Sequence, residues 1–183
     1  MDILDSYRID LLSSKLQGTS LEWQIGDEFF SAIEGLIKRG NVHTKVDCVS
    51  AGSVFKFLIY SVGVVVVPCD RCLEDLELRI ETTDELTVKL GTTYSDEGDC
   101  VIVPETEGSI NLAQYIYEFI ALSMPITCTH EPGKCDEAMM RELSKHQAAT
   151  RSRFEDTGSD DSDNGESSVD ERWSALKNLK FNN

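Results

Sequence analysis

The chain has 183 residues and a formal net charge of −16, from 33 acidic and 17 basic residues. That length supports one domain with an ordinary core plus some excess, so its six cysteines are not needed to staple a tiny fold. The charge argues against a general phosphate-backbone binder, which needs a basic stripe. Half of it lies in Glu155, Asp156, Asp160, Asp161, Asp163, Glu166, Asp170 and Glu171, a stretch without a base, and the remainder is still acidic.

The opening "MDILDSYRID" has neither a basic n-region nor an apolar h-region, and no run approaches the ~18 apolar residues of a spanning helix. The expectation is a cytoplasmic protein with no membrane partner and with reduced thiols. Tyr7, Ile9 and Leu11, then Leu21, Trp23 and Ile25, alternate with polar residues and predict two short strands. "DEFFSAIEGLIKRG" follows, with Asp27 as a cap and Phe29, Phe30, Ile33, Leu36 and Ile37 at helical spacing. The pattern predicts a helix of about three turns that ends at Lys38, Arg39 and Gly40.

Val42, Thr44, Val46 and Cys48 alternate as a strand, "SAGS" turns, and "VFKFLIYSVGVVVV" predicts a long strand buried on both faces for much of its length. Pro68 stops it, because proline cannot donate to a ladder. Leu76, Leu78, Ile80, Leu86, Val88 and Leu90 share one parity and mark a second long strand, so "PCDRCLEDLEL" is the corner of a hairpin. "GTTYSDEGD" reads as loop. In "SINLAQYIYEFIALSMP", Ser109 or Asn111 caps a helix that places Leu112, Tyr115, Ile116, Phe119, Ile120 and Leu122 at helical spacing and stops at Met124-Pro125. "CDEAMMRELSKH" predicts a shorter helix.

The chain therefore divides into an α+β domain over 1–149, a disordered acidic linker over 150–171 and a short amphipathic helix over 172–183. The domain is expected to be a mostly antiparallel sheet with a long hairpin, covered by one or two helices. Trp173, Leu176 and Leu179 in the last segment are candidate partner-binding residues, and an idle or back-docked end is the alternative.

Cys69 and Cys72 raise the chemical question. A redox CxxC opens a helix, whose dipole lowers the thiol pKa, whereas "LEDLELRIE" continues as a strand. A corner between strands can instead aim two thiolates at one metal ion. "CTHEPGKC" supplies Cys128, His130 and Cys135 as further ligands just after the main helix, across a gap longer than the usual finger spacing. Partly buried thiols at a packed corner are the other reading. Cys48 and Cys100 read as strand and loop residues without partners. The sequence shows no Gly-rich phosphate loop, no HExxH and no nucleophile elbow.

A long strand running into "CDRCL", then "SINLAQYIYEFIALSMPI", "THEPGKC" and a terminal "RWSALKNLK" together resemble the YceD family, in the form found in Bacteroidetes-type bacteria. The resemblance implies a non-enzymatic role in ribosome biogenesis, through accumulation of large-subunit (23S) rRNA. It implies as partners a pre-ribosomal large-subunit particle, a basic ribosomal protein or rRNA, and no DNA. Cys69 and Cys72 match the family's CxxC, and His130 and Cys135 its later His and Cys, with zinc as the candidate cofactor and Cys128 as a possible substitute ligand. An acidic chain tied to rRNA is reconciled most simply by contact with a basic ribosomal protein or assembly intermediate. The alternative from another class is a zinc- or thiol-dependent enzyme that uses Cys69 and Cys72.

Overall fold

Alternating apolar and polar residues form strands in a computed structural model of the chain, which describes residues 3–13, 18–97 and 100–146. A 3-10 turn (Ile3–Tyr7) leads into β1 (Arg8–Asp10), β2 (Ser20–Ile25) and α1 (Asp27–Ile33). Three long strands follow, β3 (Arg39–Ala51), β4 (Val54–Pro68) and β5 (Asp75–Gly91), then the short β6 (Ser95–Glu97), β7 (Cys100–Pro104) and β8 (Ser109–Asn111). The helices α2 (Ala113–Ser123) and α3 (Glu137–His146) close the described part. The six-stranded sheet has the order β2-β3-β4-β5-β7-β6, and β1 pairs with β8 in a separate ribbon. All these pairs are antiparallel except β5 with β7. The architecture is α+β, with the long β4–β5 hairpin at its centre.

One face of the sheet carries the core. Val42, Val46, Phe57, Ile59, Val65 and Val88 are fully buried there and share one apolar cluster with Phe29 and Phe30 of α1 and Ile116 and Ile120 of α2. Each such side chain contributes about 1.5–3 kcal/mol by leaving water. Two buried hydroxyls interrupt this apolar layer: Thr44 and Ser61 sit opposite each other and share a hydrogen bond of 2.9 Å. The other face of β4 is only half-covered. Lys56 is exposed and Leu58 is 46% exposed, so β4 is buried on one face and not, as its composition suggested, on both.

The first helix is shorter than its periodicity predicts. Glu34 takes a left-handed conformation with φ of 56°, which stops α1 at Ile33. Leu36 N–H then donates to the Tyr117 hydroxyl of α2 at 2.7 Å. A Cβ at Gly35 would lie 1.8 Å from that hydroxyl oxygen, so the approach requires glycine. Arg39 and Gly40 are consequently the start of β3 and not a helix terminus. Asp27 is not a cap either: its carboxylate accepts the Gly40 N–H, joining the helix start to β3.

Part of "GTTYSDEGD" forms β6, and Cys100 lies in β7 and not in a loop. In α2, the Asn111 side chain accepts the Ala113 N–H, while Ser109 belongs to β8. No residue of α3 is buried. No described helix is long and apolar enough to cross a membrane. The linker and terminal helix expected over 150–171 and 172–183, with Trp173, Leu176 and Leu179, lie outside the described residues.

Candidate metal centre

At the end of β4 the chain turns within six residues, Cys69 to Glu74. Cys69 N–H donates to the Glu74 carbonyl at 2.8 Å, and Leu73 N–H donates to the Cys69 carbonyl at 2.9 Å. Leu73 adopts φ of 63°, a strained conformation for a leucine, which lets the chain reverse into β5. Both thiols of the corner are thereby drawn inward: Cys69 is 0% and Cys72 3% exposed.

The segment after α2 is fastened to this corner by two reciprocal bonds. Asp70 N–H donates to the Cys128 carbonyl at 2.8 Å, and Cys128 N–H donates to an Asp70 carboxylate oxygen at 2.6 Å. His130 follows directly, and a turn closed by Lys134 N–H on the Glu131 carbonyl, with Gly133 at φ of 83°, brings Cys135 back. The Sγ atoms of Cys69, Cys72 and Cys135 and a ring nitrogen of His130 all lie within 4.8 Å of one another.

Three sulfurs and one imidazole nitrogen form one of the standard tetrahedral zinc sets. With Zn–S bonds of about 2.3 Å, the ligand atoms of such a tetrahedron stand about 3.8 Å apart. The cluster thus needs only a small contraction. The histidine ring is held in an orientation that suits ligation. Its Nδ1 lies 3.4 Å from Cys72 Sγ, and its Nε2 lies 3.2 Å from the Asp75 carbonyl. A carbonyl only accepts, so the proton belongs on Nε2, and the lone pair of Nδ1 is left facing the thiols. Zinc-bound histidines are commonly held in this way by an outer carbonyl.

The electrostatics separate the thiols. Burial alone would raise the Cys69 pKa, but the backbone N–H groups of Cys72, Arg71 and His130, with the Cys72 side chain, outweigh it and hold the thiol at about 6. Cys135 is pushed up to about 11, first by burial and then by Cys72 and Cys69. Contact with the Cys72 side chain raises His130. Cys69 is therefore a ready thiolate around which the other groups gather, while Cys135 must release a proton before it can ligate.

Cys128 stands outside this cluster. Its thiol donates to the Pro125 carbonyl at 3.4 Å, and burial, followed by the Asp70 carboxylate, raises its pKa. Its role in the geometry is that of its backbone. Cys48 is buried on the core face of β3, with its pKa raised by burial, and the Cys100 thiol donates to its neighbour's carbonyl at 3.8 Å. Sequence reasoning misses Asp70, because its carboxylate accepts the N–H of a residue 58 positions away and leaves no local signal.

Fold and site together define an α+β protein whose central hairpin corner meets the segment after its main helix through three thiols and an imidazole. Residues 59–180 match the family model described as large ribosomal RNA subunit accumulation protein YceD, and the chain belongs to that family. The match takes in most of β4, the corner and all four clustered residues. No curated protein and no solved structure matches the chain.

Proposed function

We propose that this protein is a non-enzymatic factor in large ribosomal subunit biogenesis, and that it supports accumulation of 23S rRNA by binding a basic ribosomal protein or an assembly intermediate. The observation that carries the reading is the family match, whose description names large-subunit rRNA accumulation. Net charge supports contact through a basic protein over contact with bare RNA, because −16 repels phosphate at long range and attracts cationic surfaces.

In the same reading Cys69, Cys72, His130 and Cys135 hold a zinc ion. When bound, the ion supplies folding stability, since the corner pair and a pair that begins 58 residues beyond Cys72 would be tied together by one centre. Four protein ligands favour this structural role over the enzymatic alternative, because a catalytic zinc keeps a position open for water or substrate. Depletion of the protein from cells tests the functional reading: a fall in large-subunit rRNA relative to small-subunit rRNA is expected, and an unchanged ratio overturns it. Metal analysis of protein purified without chelator tests the zinc. About one zinc per chain is expected, and protein without metal removes the centre from the proposal.

A further inference from the structure

Strand β5 runs well past its neighbour on one side. Its pairs with β4 follow one unbroken register from Val54↔Lys89 to Pro68↔Asp75, whereas β7 pairs with Thr87 to Gly91 alone. Successive residues of a strand turn their backbone groups to opposite sides, so bonds at the two ends of the ladder fix the direction of every residue between them. Leu90 N–H donates to the Ser53 carbonyl and Cys69 N–H to the Glu74 carbonyl, both in the register of the ladder. Even-numbered residues of β5 therefore face β4, and odd-numbered residues face away. Two contacts on the far side agree: the Gly91 carbonyl accepts the Glu105 N–H, and the Asp75 carbonyl meets His130 Nε2.

Between those two points Glu77, Arg79, Glu81, Thr83 and Glu85 turn their N–H and C=O groups outward, and these have no backbone partner among the described residues. All five residues are exposed. The open edge is about 27 Å long. It begins at the His130 contact and ends where β7 takes over, so it is a gap of fixed length in an otherwise paired strand.

Its chemistry is specific. Glu77, Glu81 and Glu85 stand along its outer face with Arg79 among them. Glu85 is paired with Lys56 of β4 at 2.7 Å and Glu81 accepts from the Tyr60 hydroxyl, so Glu77 is the carboxylate with no such partner among those described. On the core side, Leu76 and Leu78 are only partly buried and pack against the margin of the core. A strand laid here gains main-chain bonds from the edge, charge pairing on one face and apolar contact on the other. We infer that the edge from Glu77 to Glu85 is a strand-addition site for an extended segment of a basic partner protein, in which lysine or arginine alternates with apolar residues. This rests on the reading above that the partner is a basic ribosomal protein, and names the surface that receives it.

Residue-resolved amide exchange of the full chain, with and without a short peptide of alternating lysine and valine, tests the site. The five outward amides are expected to exchange fast in the free protein and at least about tenfold more slowly with the peptide. The same peptide N-methylated at every residue keeps its charge and side chains but donates nothing from its main chain, and is expected to bind roughly a hundredfold more weakly. Thr83→Pro removes one outward N–H while leaving the β4 ladder and every charge in place; it is expected to weaken peptide binding about tenfold, with Thr83→Ala near neutral.

Equal binding of the plain and methylated peptides would overturn the site in favour of simple charge adsorption. Outward amides that are already slow in the free chain would overturn it in favour of an edge filled by the chain's own residues or a second copy. Protection by an RNA oligonucleotide and not by the peptide would do the same in favour of a nucleic-acid surface. The ribosomal reading fails separately, because an unchanged rRNA ratio on depletion leaves the peptide protection standing.

Discussion

On the core face of the hairpin, Phe57 and Ile59 of β4 are 0% exposed and belong to a cluster of buried apolar side chains. At the corner that follows this strand, the groups removed from water are the thiols of Cys69 and Cys72, with a half-buried imidazole beside them. The first region is held by area and close packing, which depend on nothing outside the chain. The second gathers groups whose mutual attraction depends on protonation and, in the proposed reading, on a metal ion. Two physical regimes thus share one hairpin, and each should answer to a different perturbation.

The largest effect that would break this contrast is expected in the apolar region. Phe57→Ala should cost about 3–5 kcal/mol by the loss of buried area and the cavity left behind. Denaturant unfolding should show the same loss with and without chelator. A chelator-dependent loss would mean that the two regions are one cooperative system through the metal.

At the corner, Cys69→Ser and Cys135→Ser should each abolish stoichiometric zinc, and chelation of the unaltered chain should lower its melting temperature to near theirs. Thermal melts alongside metal analysis read both. Cys128→Ser sharpens the comparison, since its thiol lies outside the cluster: metal content should be kept, with a loss of about 1 kcal/mol.

Tyr117→Phe leaves the core volume unchanged and removes the acceptor of the Leu36 N–H, so about 1 kcal/mol is expected from unfolding curves. The smallest effect belongs to the edge of the sheet. The Ser20 hydroxyl lowers the Asp47 pKa, burial opposes this, and Lys45 adds to the lowering. A carboxylate with a depressed pKa in the folded state stabilises above its unfolded value of 3.8 and loses that contribution as pH falls through the folded value. Asp47→Asn should therefore give a slight destabilisation at neutral pH that vanishes in acid, read by melts across pH.

What was legible in the sequence follows the same division. The parity of Leu76 to Leu90 and the β-branched run ending at Pro68 are local patterns, and they yield β4, β5 and the corner between them. The end of α1 was not legible, because it depends on a hydroxyl 81 positions away that claims the Leu36 N–H. The parallel strand β7 was missed because five residues between turns carry little periodicity. The CxxC spacing was plain, but nothing in spacing says that His130 and Cys135 arrive beside it. That depends on Asp70 and the Cys128 backbone, a contact between segments 58 residues apart.

The hydrogen bond between Thr44 and Ser61 bears on how β3 finds its place against β4. A slip of one residue would turn the whole apolar set of β3 to the wrong face. A slip of two preserves that alternation and is the harder error for hydrophobicity to reject. It would set Thr44 against Ile59 or Gly63 in place of Ser61. Both hydroxyls would then be buried unpaired, at about 1–3 kcal/mol each. Two polar groups in an otherwise greasy layer thus act as a proofreading mark, which penalises the even-numbered misalignments that the apolar alternation alone would tolerate.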